Sequence, residues 1–184
     1  MKTPLKTIFF SALATLTIFL AVAYTSCNRD KCKTIVCANG GVCNEGQCIC
    51  QSGYEGSNCE TISRQVFIGN WQVFEKGSNT NAAQYGASIA PANNITDVVI
   101  NSFYNYFTLP INATIVGDTI YIPNQQLQGK VVFGKGYIYS NATYGQFSNM
   151  FISYEVIDTA TNVPDDFGFY PPDGSAPSQW TKTN

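Results

Sequence analysis

Ile111-Asn112-Ala113-Thr114-Ile115-Val116-Gly117-Asp118-Thr119-Ile120-Tyr121-Ile122-Pro123 is the stretch whose reading decides the fold. Two β-branched runs flank Gly117-Asp118, so Val116-Gly117-Asp118-Thr119 reads as a tight hairpin turn. The same texture extends in both directions. Runs rich in Val, Ile, Thr, Tyr and Phe, bounded at short intervals by Gly, Asn, Asp or Pro, predict strands over Val66–Phe74, Tyr85–Ile89, Asp97–Phe107, Lys130–Tyr139 and Phe151–Ile157, besides the hairpin strands Ile111–Val116 and Thr119–Ile122. No segment sustains apolar residues at i, i+3, i+4 and i+7, so an all-β meander is the economical reading. About seven or eight strands suit a small antiparallel barrel or half-barrel over residues 61–163. Pro164, Pro171, Pro172, Pro177 and Asp173-Gly174 mark residues 164–184 as an irregular tail, with Phe167, Phe169 and Trp180 docking on the sheet.

Before Val66 the chain changes character. Cys32, Cys37, Cys43, Cys48, Cys50 and Cys59 follow the spacing C-x4-C-x5-C-x4-C-x-C-x8-C, and no cysteine occurs afterwards. This segment has Asn39-Gly40-Gly41 and Ser52-Gly53 turns and few apolar side chains. It cannot build a core and must be stapled. Six cysteines allow 15 pairings, and counting does not choose among them. A thiolate metal site is the competing use of Cys48-Ile49-Cys50, and an oxidising compartment argues against it.

Such a compartment is what the N-terminus implies. Ile8 to Tyr24 is an apolar run preceded by Lys2 and Lys6 and closed by Thr25, Ser26 and Cys27, which reads as a signal peptide over residues 1–26. An ordinary signal peptidase would cut after Ala21-Val22-Ala23 and leave Cys27 as an odd thiol. Tyr24-Thr25-Ser26-Cys27 instead resembles a bacterial lipobox, which implies lipidation of Cys27. Cysteine arithmetic agrees with the lipid, since seven Cys without Cys27 leave an even six. Acyl chains would then hold the protein on a membrane, and no later stretch reaches the ~18 apolar residues needed to span one. The expected address is the bacterial cell envelope, with a secreted form as the alternative.

Two further resemblances carry the folds. Cys48-Ile49-Cys50-Gln51-Ser52-Gly53-Tyr54-Glu55-Gly56-Ser57-Asn58-Cys59 resembles the C-terminal half of an EGF-like module, which covers residues 28–60. The resemblance implies bridges Cys32 to Cys43, Cys37 to Cys48, and Cys50 to Cys59. Calcium, which some such modules bind, is not expected. Arg29 and Lys31 flank Asp30 where oxygens are wanted, and Asn44-Glu45-Gly46-Gln47 lacks the aromatic. Phe67-Ile68-Gly69-Asn70-Trp71 resembles the Gly-x-Trp start of lipocalins, whose tryptophan plugs one barrel end. Val116-Gly117-Asp118-Thr119-Ile120-Tyr121-Ile122-Pro123 is similar to a motif in the lipocalin-like domains of bacterial surface lipoproteins. The arginine that lipocalins set against the tryptophan has no candidate on the last strand.

Charged residues make up 12% of the chain and its net charge is −2; without Lys2 and Lys6 there remain 8 basic and 12 acidic residues. No basic patch is available for nucleic acid. There is no histidine, which removes Ser-His-Asp and Cys-His nucleophiles and His-ligated metal. No cofactor or metal is expected. The reading is a non-enzymatic, lipid-anchored surface protein that binds a neutral ligand, a glycan or a partner protein. The alternative is a carboxylate-based glycan hydrolase using two of Asp97, Asp118, Glu155 and Asp158. The only cations from Thr61 onward are Arg64, Lys76, Lys130, Lys135 and Lys182, so a neutral ligand is implied. Tyr104, Tyr106, Tyr121, Tyr137 and Tyr139 are the candidate binding residues. Tyr104 with Tyr106, and Tyr137 with Tyr139, share a strand face by the period-two rule, and a surface site is expected over an enclosed cavity.

Other motifs carry less. Asp166-Phe167-Gly168 and Gly134-Lys135-Gly136 spell fragments of kinase motifs without their context, and Asp165-Asp166 points to opposite faces of any strand. Asn94-Ile95-Thr96, Asn112-Ala113-Thr114 and Asn141-Ala142-Thr143 match the N-glycosylation acceptor, while Asp118-Thr119-Ile120 and Asp158-Thr159-Ala160 resemble an O-glycosylation acceptor of some envelope proteins.

Overall fold

The computed structural model of the protein describes residues 30–139, 149–170 and 175–183. The leader, Cys27 and Asn141-Ala142-Thr143 lie outside the described residues. The first described segment is held by disulfides Cys32–Cys43, Cys37–Cys48 and Cys50–Cys59, the pairs that the EGF-like resemblance implies. Its regular structure is slight: a hairpin of β1 (Val42–Asn44) and β2 (Gln47–Ile49), then β3 (Tyr54–Glu55) paired with β4 (Thr61–Ile62). Val36, Val42 and Ile49 are exposed. With so little apolar burial the cross-links must replace a core, each closing a loop of about ten residues worth on the order of 2 to 3 kcal/mol.

A 3₁₀ turn, Ser63–Val66, leads into the second segment. There β5 (Gly69–Glu75), β6 (Ala83–Pro91), β7 (Asp97–Asn101), β8 (Ile111–Val116), β9 (Thr119–Leu127), β10 (Lys130–Tyr139) and β11 (Asn149–Asp158) run up and down, each antiparallel to the last. After the short β12 (Pro164–Phe167), β13 (Ser178–Thr183) enters between β11 and β5, antiparallel to both. The fold is all-β, a closed eight-stranded antiparallel barrel beside a small disulfide-rich region, with β12 as an extra strand on the other half of β11. Closure removes the free edges that an open sheet would expose.

Two expectations need correction. The tail is not an irregular strap, because Ser178–Thr183 buries Ser178 and Trp180 at alternate positions and supplies the closing strand; the prolines after Pro164 fall outside β12 and β13. Nor does Asp97–Phe107 continue as one strand. Ser102, Tyr104 and Asn105 adopt left-handed φ of 57°, 57° and 47°, which turns the chain through a 3₁₀ segment, Phe103–Asn105, and drives Phe103 and Phe107 into the core. Tyr104 and Tyr106 therefore share no strand face, although their rings end 6.3 Å apart.

The interior is filled by rings stacked along the barrel. Trp71 meets Trp180 edge-on at 6.5 Å, Trp180 meets Phe103, Phe103 meets Tyr154 at 4.6 Å, and Tyr154 lies parallel to Phe167 at 4.3 Å. Gly134 and Gly136 make room for this column. A Cβ on Gly134 would lie 2.4 Å from that of Tyr154, and one on Gly136 would lie 2.8 Å from the Ile152 side chain. The glycines of the discarded loop motif are there for packing. At the other end of the column Trp71 donates its indole N–H to the Phe67 carbonyl at 2.9 Å, and the Lys182 ammonium lies 5.7 Å from its ring centroid. Lys182 of β13 also donates to the Val66 carbonyl at 2.8 Å. A lysine thus faces the tryptophan from the last strand, where the sequence offers no arginine.

Candidate functional site

Strand directions assign the two ends of the barrel. β5 starts, and β6 ends, at the end that receives the disulfide region; there Gly53 packs on Ile95, and the Arg64 guanidinium bridges to the carbonyls of Ala92 and Asp97 at 3.1 and 2.9 Å and to that of Asn94. The Ser63 amide is bonded back to the Gly53 carbonyl at 3.0 Å. Loops 76–82, 102–110, 128–129 and 159–163 gather at the opposite end.

At that far end lies an open cavity of about 320 Å³. Its central group is Asp165 of β12, only 5% exposed. Asp165 Oδ1 accepts the Asn79 amide at 2.8 Å, while Oδ2 accepts the hydroxyls of Thr80 at 2.8 Å and Tyr104 at 2.9 Å. The approach of loop 76–82 requires glycine at 77, since a Cβ there would sit 2.1 Å from Asp165 Oδ1. Burial, and then the bond and charge of Asp165, push the Tyr104 hydroxyl well above the usual phenol range. Across the cavity Lys130 pairs with Asp158 at 3.2 Å and lies 4.8 Å from the centroid of the Tyr106 ring. The amides of Ala160 and Thr161 cap Asp158, and together with Lys130 they hold its carboxyl below the usual carboxylate range.

Inside the barrel stands an acid that sequence reasoning missed. Glu75 accepts hydroxyls from Tyr85 at 2.7 Å, Tyr154 at 2.8 Å and Ser178 at 2.6 Å, and Ser178 in turn accepts the Trp180 indole N–H at 3.0 Å. Burial raises its pKa, partly offset by these three hydrogen bonds. The signal was present: Trp71, Val73 and Glu75 fall on one face by the period of two, and that face is the core.

The proposed hydrolase acids are not brought together. Asp97 and Asp118 lie at the end nearer the disulfide region, where Asp97 accepts from the Asn94 and Thr96 side chains. Asp158 is at the far end. Glu155 is buried on the outer side of β11, in register with Asp166. Asp166 itself accepts the amides of Gly168, Phe169 and Tyr170 and the hydroxyl of Ser175, pinning the segment that lays Phe169 against Phe133. Asp165 and Asp166 do face opposite sides, as β-structure demands.

The five candidate tyrosines divide into two groups. Tyr104 and Tyr106 belong to the far end, Tyr104 half-buried and Tyr106 exposed. Tyr121, Tyr137 and Tyr139 stand on the outer wall of β9 and β10, 44%, 43% and 61% exposed. Phe151 of β11 joins them, opposite Tyr137 in register and with its ring edge-on to Tyr139 at 5.8 Å. Lys135 is the cross-strand partner of Tyr121 on this wall. No known family model matches the chain, and no solved structure matches it at a significant level.

Proposed function

We propose that this is a non-enzymatic, lipid-anchored protein of the bacterial cell envelope, in which an EGF-like module carries a lipocalin-like barrel that binds a neutral glycan. The observation that carries the reading is the outer aromatic wall of Tyr121, Tyr137, Tyr139 and Phe151. Contiguous exposed rings are costly to leave in water and mark a contact surface. Their faces stack on the apolar faces of sugar rings, while the tyrosine hydroxyls remain free to bond sugar hydroxyls. Charge favours a neutral partner, since among the described residues Lys135 is the single cation beside these rings and an anion would find one partner there. The acids inside and at the end of the barrel are engaged: Glu75 and Asp165 each hold three donors, and Asp158 is kept acidic rather than poised as a general acid.

Affinity electrophoresis of the detergent-solubilised protein through gels containing soluble neutral polysaccharides tests the proposal. Retardation is expected in at least one polysaccharide. The double variant Tyr137→Ala, Tyr139→Ala is expected to lose most of it and keep its melting temperature, because both side chains stand on the outer face and neither belongs to the barrel core. Measured turnover of a glycan, or retardation unchanged in the double variant, would overturn the proposal; capture of a protein by the same wall would replace the glycan with a partner.

A further inference from the structure

The far-end cavity offers a second kind of recognition, distinct from the outer wall. We infer that it binds one neutral, polyhydroxylated small molecule, a single sugar unit or a cyclic polyol, between Asp165 and the Lys130–Asp158 pair.

Its size admits such a molecule. About 320 Å³ lies at the lower end of the range for ligand pockets, which run from roughly 300 to 1,000 Å³. The hydrogen-bonding capacity left over then selects the chemistry. A carboxylate accepts about four hydrogen bonds. Asp165 accepts three from the described residues, one on Oδ1 and two on Oδ2, which leaves one place. Among the described residues Asp158 accepts the Ala160 and Thr161 amides on Oδ1 and Lys130 alone on Oδ2. Thr80 donates its proton to Asp165 and keeps its own lone pairs. Asn79 gives its side-chain N–H to the Pro164 carbonyl, leaving its amide oxygen. Against these acceptors stands Lys130, with one of its three protons directed at Asp158.

This set selects against an anion, and it offers a cation one carboxylate already ringed by three donors. An anion would meet two carboxylates. A cation would find Asp165 attractive, but the Lys130 ammonium is already within the same small cavity. A hydroxyl satisfies both sides, donating to Asp165, Asp158 or Asn79 while accepting from Lys130, and several hydroxyls on one ring do so at once. Val156 and Val163 supply an apolar wall for the ring's C–H face.

The cavity also lies at the barrel end opposite the disulfide region. If the chain is anchored at Cys27, this end points away from the membrane, toward solutes arriving from outside.

The test is an amide NMR titration of the isotopically labelled full-length protein in detergent. The probes are methyl α-glucopyranoside, N-acetylglucosamine and myo-inositol, with inorganic phosphate and putrescine as charged comparators. Saturable shifts at the amides of Asn79, Thr80, Ala160 and Thr161 are expected from at least one neutral probe, and none from either ion. Lys130→Met is expected to weaken that binding about tenfold, the effect of one lost hydrogen bond to a charged group, and Thr80→Val about fivefold, that of one lost neutral hydrogen bond. Thr80 is a loop residue, so its variant guards against a folding artefact of losing the Lys130–Asp158 pair. The Tyr137→Ala, Tyr139→Ala protein is expected to bind the probe normally, which separates this site from the outer wall. Absence of saturable shifts with all three neutral probes, a stronger response to phosphate or putrescine, or full affinity in both cavity variants would overturn the inference.

Discussion

Replacing Glu75 with alanine removes the acceptor of three hydroxyls in the barrel interior. Tyr85, Tyr154 and Ser178 come from β6, β11 and β13, so the carboxyl ties the strand on which it sits to three others. Tyr85 and Tyr154 are 8% and 0% exposed and Ser178 is 0%, so water does not readily replace the lost partner. An unsatisfied buried donor costs about 1 to 3 kcal/mol, and three cost about 3 to 9 kcal/mol. That compares with a total stability of about 5 to 15 kcal/mol for a domain of ordinary size. Glu75→Ala is therefore expected to remove a large share of the barrel's stability. Glu75→Gln keeps an oxygen for one hydroxyl and offers an amide to others that can rotate to accept, so it is expected to fold. The two variants also separate hydrogen bonding from charge. Because burial holds the folded pKa of Glu75 above its ordinary 4.5, the unfolded chain releases this proton first as pH rises. Between the unfolded and folded values the native state binds more protons, and stability falls with rising pH. Urea denaturation followed by tryptophan fluorescence, with disulfides intact, reads both effects. The wild type is expected to lose stability as pH rises above 4.5, and Glu75→Gln to flatten that slope. A Glu75→Ala protein within about 1 kcal/mol of wild type, or an unchanged pH slope in Glu75→Gln, would refute the account.

Gly134→Ala places a methyl group 2.4 Å from Tyr154 Cβ, so overpacking is expected to cost about 1 to 3 kcal/mol or more in the same denaturation assay. Replacing Cys50 and Cys59 with serine is expected to remove about 2 to 3 kcal/mol of constraint from the disulfide region, read as new protease cleavage within residues 51–58 while barrel melting is little changed. Cys27→Ser is expected to move the protein from the membrane fraction to the soluble fraction; retention on membranes would assign the anchor to Ile8–Tyr24 instead.

Much of the barrel was legible because strands announce themselves locally. The strand that the residue pattern predicts over Lys130–Tyr139 has those bounds in the structure, and the Val116-Gly117-Asp118-Thr119 turn joins β8 to β9 as its residues require. What escaped was set at long range. Nothing local marks Ser178–Thr183 as a barrel strand, since its six residues gain their meaning from pairing with β5 and β11. The turn at Tyr104 is equally silent, because an aromatic run reads as strand until Phe103 and Phe107 are needed to fill the barrel. Glu75 is readable from alternation, yet a carboxyl on a core face contradicts the usual preference until its three hydroxyl partners are known. The far-end cavity combines residues from loops remote in sequence, and no motif spells it.

The way the barrel closes bears on when it can form. β5 is among its first strands, yet one of its two neighbours is β13, and the Glu75–Ser178 bond between them spans 103 residues. Until β13 emerges, β5 and the Asn149–Ile152 part of β11 both present unpaired edges, open to pairing with another chain. Long-range pairing of this kind is slow, because loop closure must precede the contacts that reward it. Under the proposed export, in which the polypeptide crosses a membrane as an extended thread, such a delay would be useful: β13 would act as a latch, and a chain still in transit could not lock itself into a shape too wide to pass. The same arrangement makes truncation hazardous, because a product ending before Ser178 would carry two sticky edges and no means of closing them.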